Sequence, residues 1–527
     1  MAGTYKTPGV YIDETNAFPS AVVPVATAVP AFIGYTPRAD YEGKSYVNKP
    51  TKITSFADFQ AYYMLPNPSP PADTAKQYSP SYYLVAQKDK PTAGHFLVIA
   101  GQYYSILPDP DTIYHLYNAV RMFYQNGGGD AYIVAVGPYG APSGKPVPDP
   151  ATRAINANVK LADLQTALQL LANETEPTIY VCPDAMLLSD ADNATFMQEA
   201  LRLAGSTQTA VCLFDVIGGL DPDPILYTKD IENFRNAVSV SGLDYGVAYY
   251  PYIGTTTMQS GEIDFTNLFG GDVKQLLPLV SPPSAPNPAA EKIIALMQQA
   301  PSPDSMTNSQ LNIALVNAST TYKQILSQVT SYANILPPSG AMAGVYTSND
   351  ISDGVWNSPA NVGIIGAVSL PIRLSDSQQE FLNIDAVSGK SINAIRFFNG
   401  RGILIWGART LDGNSQDWRY ISVRRTVTFL EQSIKAAARA YIYEPNDANT
   451  WSAITAMINS FLTSVWKEGG LQGATPASAF YVSVGLGSTM TADDVLNGYM
   501  RVTVGVAVTR PAEFIVITFE QQQATSG

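Results

Sequence analysis

Apolar and polar positions fall into two periods along this chain, and the switches between them outline its organisation. Over residues 114–124 the apolar residues recur at helical spacing, and Asn126-Gly127-Gly128-Gly129 stops the run. Residues 131–136 are continuously apolar, which predicts a buried strand. The exchange then repeats: helix over 161–172, strand over 178–182, helix over 193–204, strand over 210–216, helix over 231–240, strand over 246–252. Strands apolar on both faces and alternating with helices predict an α/β block with a largely parallel sheet.

The flanks are less regular. Residues 22–35 read as a strand pair, and 40–110 as irregular, Tyr- and Pro-rich chain with one short helix near 55–63. After a proline-rich stretch over 277–289, two helical segments run to about residue 333. Residues 338–370, rich in Gly, Ser and Asn, read as a domain boundary or working loop. Strands over 394–399 and 402–408 follow. Val423, Val427, Leu430, Ile434, Ala438 and Tyr441 then fall at helical spacing. Trp451, Ile454, Ile458, Phe461, Leu462 and Val465 line one face of a second helix, ended by Gly469-Gly470. Strands over 479–484 and 499–509 follow, the latter with Met500, Val502, Val504, Val506 and Val508 on one face.

In a final strand over 513–519, Phe514, Val516 and Thr518 point one way and Ile515, Ile517 and Phe519 the other. Such a strand expects cover on both faces. Its partner is either the chain's own sheet or a neighbouring subunit's sheet, and the pattern alone leaves both open.

Composition tilts that balance. Charged residues make up only 14% of the chain, against about 25% in a typical soluble domain. Low charge and 31 tyrosines suit a surface that an assembly covers. A net charge of −13 argues against a nucleic-acid binder. The apolar stretch 21–35 is cut by Pro24 and Pro30, so no stable membrane insertion is expected. The opening residues lack a charged-then-apolar signal layout, so the chain is expected to be made in the cytoplasm. Cys182 and Cys212 read as buried strand residues. With His95 and His115 as the only histidines, a His-based metal site or a Ser-His-Asp triad is not expected.

The α/β block raises one alternative, a nucleotide-binding enzyme. Residues 136–146, V-G-P-Y-G-A-P-S-G-K-P, resemble a phosphate loop only loosely. Tyr139 stands where the first glycine belongs and Pro146 replaces the Ser or Thr, so no cofactor is expected. Asp412-Gly-Asn-Ser-Gln-Asp417 is oxygen-rich, but Val423 stands where a calcium loop needs Glu, and a polar turn is the simpler reading. Arg419, Arg424, Arg425, Lys435 and Arg439, opposed only by Glu431, read as a solvated or ion-paired helix face, or else as a docking surface for an acidic partner chain.

Longer stretches carry a resemblance. G-V-W-N-S-P-A-N (354–361), I-N-A-I-R-F-F-N-G-R-G-I-L-I-W-G-A-R-T (392–410), Y-I-S-V-R-R-T-V-T-F-L-E (420–431) and W-K-E-G-G-L-Q-G-A-T-P-A-S-A-F-Y-V (466–482) resemble the contractile tail sheath family. So do Y-K-T-P-G-V-Y-I-D-E (5–14) and V-A-T-A-V-P-A-F-I-G-Y-T (25–36) near the start. The resemblance implies an α/β protein: an α+β core with a mixed sheet, an inserted α/β domain, and extended N- and C-terminal arm strands. It implies a linking arm over 1–20, a discontinuous sheath core over 21–40 and 341–509, a small irregular insertion over 41–110, an outward-facing α/β insertion over 111–340, and a C-terminal linking arm over 510–527.

It also implies a mechanism. Subunits polymerise around an inner tube and are linked by strand exchange. They contract from a metastable extended state, driving the tube through a target membrane. Val10, Tyr11 and Ile12 would be arm-strand residues at one end, and Phe514, Ile515, Val516, Ile517, Thr518 and Phe519 at the other. Met500, Val502, Val504, Val506 and Val508 would lie in the receiving sheet, and Trp466, Lys467 and Glu468 would contact the inner tube. Implied partners are other copies of the chain or paralogous sheath subunits, the inner tube protein, and baseplate and terminator cap proteins. Assembly would occur in the bacterial cytoplasm, as part of a phage tail or a phage-tail-like particle released from the cell. Type VI secretion sheaths divide this role between two chains. Both arms on one chain therefore suggest a phage tail, a tailocin or an extracellular injection system, and the short start and compact insertion favour the last.

Overall fold

The structure, a computed structural model, describes residues 21–66, 73–220, 227–299 and 305–514. The chain divides into two compact units. Among the described residues the larger comprises 26–425 and 510–514, and the smaller comprises 426–509 and 21–25.

Eleven strands of the larger unit, in chain order, are β1 (Pro30–Thr36), β2 (Thr51–Ile53), β3 (Tyr82–Gln87), β4 (His95–Ile99), β5 (Gln102–Pro108), β6 (Ala131–Pro138), β7 (Ile179–Val181), β8 (Val211–Asp215), β9 (Gly246–Tyr250), β10 (Asn393–Phe398) and β11 (Gly402–Trp406). Its main helices include α1 (Phe56–Tyr63), α2 (Leu116–Gln125), α3 (Leu161–Leu171), α4 (Asp190–Thr207), α5 (Tyr227–Ala237) and α6 (Ser339–Asp353). An eight-stranded sheet runs in the order β11-β10-β9-β8-β7-β1-β6-β2. Every pairing from β10 to β6 is parallel, and the edge strands β11 and β2 pair antiparallel. The sheet is therefore mixed. β1, β7, β8 and β9 are buried at every position, as strands covered on both faces must be.

This sheet crosses the boundaries that the sequence suggests. Its strands come from 30–36, from the 131–250 block and from 393–406, so the α/β block and the flanking strands share one hydrogen-bonded ladder. The cause is the two-faced character of the central strands. Each needs a neighbour on both edges as well as cover on both faces, and the block alone does not supply enough of them.

Three stretches depart from their predicted structure. Residues 22–35 hold a single strand, β1, which begins only at Pro30, rather than a pair. Residues 82–108 form a three-stranded antiparallel sheet, β3-β5-β4, where irregular chain was expected. The tight turn between β4 and β5 uses Ala100 at φ 49° and Gly101 at φ 84°. Ala-Gly is not the Asn-Gly signature of such a turn, which hid the hairpin. The third departure is α6, which occupies 339–353 of the supposed boundary or loop over 338–370. Its small residues serve packing. A Cβ on Gly340 would lie 2.6 Å from the Ala119 Cα, and one on Gly344 would lie 2.4 Å from the Phe123 carbonyl oxygen. Glycine is thus what allows α6 to seat against α2, and a loop-like composition encodes a buried helix.

The helix α7 (Ile421–Ala438) runs through the division between Arg425 and Thr426. In the smaller unit, α8 (Ala448–Lys467) starts at Asp447, whose carboxylate accepts the Asn449 and Thr450 amides. Ile454, Met457, Ile458, Phe461, Leu462 and Val465 form its buried face, and Phe429 of α7 packs on Phe461 with ring centroids 5.9 Å apart. β12 (Phe480–Val484) pairs antiparallel with β13 (Val502–Val506) as a separate two-stranded sheet. Among the described residues no helix is long and apolar enough to cross a membrane.

Candidate inter-subunit surfaces

In an open α/β sheet a ligand is expected at the carboxyl ends of the strands. In this structure the chain's own carboxylates occupy that place. Asp184, fully buried beyond β7, accepts the backbone amides of Tyr35 at 2.8 Å, His115 at 2.6 Å and Leu116 at 3.1 Å, and so caps α2. A Cβ on Gly34 would strike its Oδ2 at 2.4 Å. Asp215, at the end of β8, accepts the Ser339 amide at 2.8 Å and its hydroxyl at 2.5 Å, capping α6. Burial pushes Asp184 up to about 6 and Asp215 up to about 7, with the hydrogen bonds opposing.

The phosphate-loop look-alike after β6 is likewise filled from within. Asp109, 1% exposed, accepts the Ser143 hydroxyl at 2.6 Å, the Gly144 amide at 2.8 Å and the Ser143 amide at 3.3 Å. The amides that would cradle a phosphate cradle a carboxylate of the protein.

The smaller unit presents the opposite situation. β12 and β13 have only each other as neighbours among the described residues, so each leaves a second edge without a strand. None of the β13 residues is buried, and the face carrying Met500, Val502, Val504, Val506 and Val508 is exposed at Val502 and half-buried elsewhere. The strand itself spans only 502–506. Met500 lies before it, and Val508 makes a separate antiparallel bridge to Leu471. Tyr481, Tyr499, Leu486 and Leu496 are exposed around the hairpin. Tyr481 stands opposite Gly505 in the register, and a Cβ on Gly505 would meet its ring at 2.1 Å. The ring thus covers the backbone of a strand that lacks a side chain there.

Of the expected inner-tube residues, Trp466 is half-buried and its Nε1 donates to the Gly473 carbonyl at 2.9 Å, while Lys467 and Glu468 are exposed at the end of α8. Val10, Tyr11, Ile12, Ile515, Val516, Ile517, Thr518 and Phe519 lie outside the described residues. Phe514 is described and is 68% exposed.

The residue before it is held firmly, and sequence reasoning passed over it. Glu513 accepts from Arg409 Nε at 3.0 and 3.1 Å, Arg409 Nη2 at 2.6 Å, Asn383 Nδ2 at 2.8 Å and Tyr420 OH at 3.3 Å. Burial works against its charge, but the bonds from Arg409 and Asn383 outweigh it and hold Glu513 below the usual glutamate range. The charge of Glu513 amid apolar residues was the one available signal.

The arginine group resolves toward ion pairing. Arg425 donates to both Asp350 oxygens, at 2.9 and 2.5 Å, with both side chains buried, and lies over the Tyr346 ring. Arg424 lies 3.4 Å from Asp244 and stacks on Trp418. These two are unavailable for docking an acidic partner.

Comparison with known proteins agrees with the expectation from sequence. Residues 287–411 match the phage tail sheath protein central domain, and residues 414–522 the phage tail sheath C-terminal domain. A tail sheath protein of Vibrio phage KVP40 is 29% identical over 288 residues, 52% of this chain. The match spans 40% of that relative's length. Over 99% of both chains, the fold is similar to the sheath of an extracellular contractile injection system, PVC, in its contracted state, at 24% identity and a TM-score of 0.57. The contracted helical sheath of the anti-feeding prophage is similar over 98% of this chain and 100% of its own, also at 24% identity and 0.57.

Proposed function

The chain belongs to the contractile tail sheath family, and from that premise we propose that it is a structural subunit whose copies polymerise around an inner tube. Neighbours are linked by strand exchange: the N-terminal arm strand of one copy and the C-terminal arm strand of another add to the β12–β13 sheet of a third. The sheath contracts from a metastable extended state and drives the tube through a target membrane. The observation that carries this reading is the β12–β13 sheet, two-stranded, poorly covered and open at both outer edges among the described residues, whereas the central strands β1, β7, β8 and β9 of the large sheet are buried throughout. An added strand would complete it.

In this assembly Lys467 and Glu468, exposed beside Trp466, face the inner tube. Residues 111–340 face outward, and the first and last subunits meet the baseplate and terminator cap. We assign the particle to the extracellular contractile injection systems, because the fold likeness to their sheaths extends over nearly the whole of both chains. A phage tail sheath is the second reading, favoured by the curated relative. Its neighbouring genes separate the two: a capsid gene indicates a phage, and a toxin cargo without a capsid indicates an injection system.

Electron microscopy of the purified protein tests the main reading, with tubes or ring stacks expected. Monodisperse monomers across salt and concentration would overturn it. Deleting residues 515–527, which leaves Glu513 on Arg409, is expected to give folded protein that no longer polymerises, and unchanged assembly would overturn the strand-exchange mechanism.

A further inference from the structure

We propose that Arg409, Asn383 and Tyr420 form a built-in carboxylate receptor that holds Glu513 and fixes the point from which the C-terminal arm leaves its own subunit. This rests on the strand-exchange reading above and adds a positioning residue to it.

The receptor is made rigid by contacts that do not involve Glu513. The Arg409 backbone amide donates to Asn393 Oδ1 at 2.8 Å, and Asn393 Nδ2 returns a bond to the Arg409 carbonyl at 2.8 Å, with Asn393 fully buried. A Cβ on Gly407 would strike Asn393 at 2.7 Å, so the backbone approaches closely there. Arg409 and Tyr420 bridge each other as antiparallel neighbours, which places the phenol beside the guanidinium. Arg409 is 4% exposed. A guanidinium so buried needs an anion, and its planar fork fits a carboxylate.

Glu513 is the residue that supplies one. Its side chain takes bonds from three residues, while the next residue, Phe514, is exposed. A second tie lies earlier, where Arg510 Nη1 donates to the Gln416 carbonyl at 2.6 Å, but this one is on the surface. The fixed root of the arm therefore extends to Glu513 rather than ending at Thr509.

The consequence is entropic. Without the Glu513 tie the donated strand starts after a free tether, and about four more residues add roughly 14 Å of reach. That spreads the strand over a larger volume and lowers its effective concentration at a neighbour's sheet edge. With the tie, the strand is presented from a set position. The receptor contributes to assembly through the root of the arm.

The test uses full-length protein. Glu513→Ala leaves Arg409 buried without its anion, so it conflates folding with positioning. The paired variant Arg409→Met/Glu513→Leu removes the tie and leaves no unpaired charge. Its melting temperature as an unassembled subunit is expected to stay close to wild type. Cleavage by proteinase K between residues 509 and 514, followed by mass spectrometry, is expected to speed up at least tenfold, and the concentration needed for tube assembly to rise on the order of tenfold. A folded paired variant with wild-type cleavage and assembly overturns the proposal. If the paired variant does not fold, Glu513→Gln is judged by the same two readouts. Deletion of 515–527 separates the two ideas. Assembly lost on deletion but normal in the paired variant refutes only the receptor, whereas assembly that survives deletion refutes strand exchange itself.

Discussion

β1 in the larger unit and β13 in the smaller are both apolar strands, yet β1 is buried at all seven positions and β13 at none. The chain supplies β1 with a strand on each edge and helices over the sheet. Among the described residues it supplies β13 with one neighbouring strand and partial cover. The contrast extends outward from the strands. In the larger unit the carboxylates of Asp184, Asp215 and Asp109 are enclosed and paired. In the smaller, Tyr481, Leu486, Leu496 and Tyr499 stand exposed beside the hairpin. A strand's pattern states that it wants cover, and only the fold states whether its own chain provides it. Substitutions should accordingly unfold the larger unit and leave the smaller folded but unable to associate.

The largest effect is expected at the α2–α6 contact. Gly344→Val places a branched side chain where a Cβ alone would lie 2.4 Å from the Phe123 carbonyl oxygen and 2.8 Å from the Asn126 Cβ. The first belongs to α2 and the second to the residue that caps it, and neither can move without disturbing the sheet beneath. The cost should exceed about 3 kcal/mol, at or above the upper end for overpacking. Chemical denaturation would measure it, and near-wild-type stability would show that the two helices have room to part.

Asp350→Ala comes next. It strips Arg425 of its partner where both side chains are nearly inaccessible. Loss of one member of a buried pair costs about 3–5 kcal/mol. The double variant Asp350→Leu/Arg425→Met should recover most of that, and the same denaturation series would show whether it does.

These two sites also show what was legible in the sequence. The strand–helix alternation from 114 to 252 could be read because each strand there is a short apolar run bounded by polar turns, and its elements appear with boundaries moved by a few residues. The helix α6 could not, because Gly340, Gly344, Ser339 and Ser348 carry the composition of a loop, and only the approach of α2 explains it. The β3-β5-β4 sheet was hidden by its tyrosines and by an Ala-Gly turn. Ion pairing of Arg424 and Arg425 depends on Asp244 and Asp350, too distant in sequence to be read as partners. For the candidate surfaces, the alternation of β13 was readable, and its lack of cover was not. Glu513 was overlooked because a single charge in an apolar strand carries no sign of a receptor whose parts lie at 383, 409 and 420.

A smaller effect follows from the histidines, both in the larger unit. They line one cavity of about 120 Å³ with Tyr78, Tyr82 and Tyr332, and His95 stacks on Tyr332 with centroids 4.4 Å apart. His95 Nε2 and His115 Nδ1 are buried without a hydrogen-bond partner. Burial lowers both, His115 to about 4. Between about pH 6.5 and 4 the unfolded chain therefore binds protons that the folded chain does not, and their contribution to stability falls as pH falls. Asp184 and Asp215, raised by burial, act with the opposite sign in an overlapping window, because there the folded chain holds the extra proton. The two effects partly cancel in the wild type, so the comparison is with His115→Gln. The variant should lose less stability than wild type on going from pH 7 to pH 4, by about 2 kcal/mol. Parallel pH-dependent denaturation curves would mean that His115 is not held neutral.

The smallest effect on folding, and the one that bears most directly on the contrast between the units, is expected at β13. Val502→Lys puts a charge on an exposed position of a strand whose outer edge has no neighbour among the described residues. A folded subunit has little to lose there, and its stability should change by less than about 0.5 kcal/mol. A lysine on an open strand edge is, however, a standard obstacle to strand addition, since an incoming strand would have to bury the ammonium. Tube formation should fail while the melting temperature holds. The equivalent change in the larger unit, Ile33→Lys on fully buried β1, should abolish folding outright. If Val502→Lys instead destabilises the unassembled subunit by several kcal/mol, β13 is already covered by its own chain and has no place for a neighbour's strand. If it leaves both folding and assembly intact, the neighbour's strand enters elsewhere, and the open edge of β12 becomes the surface to examine.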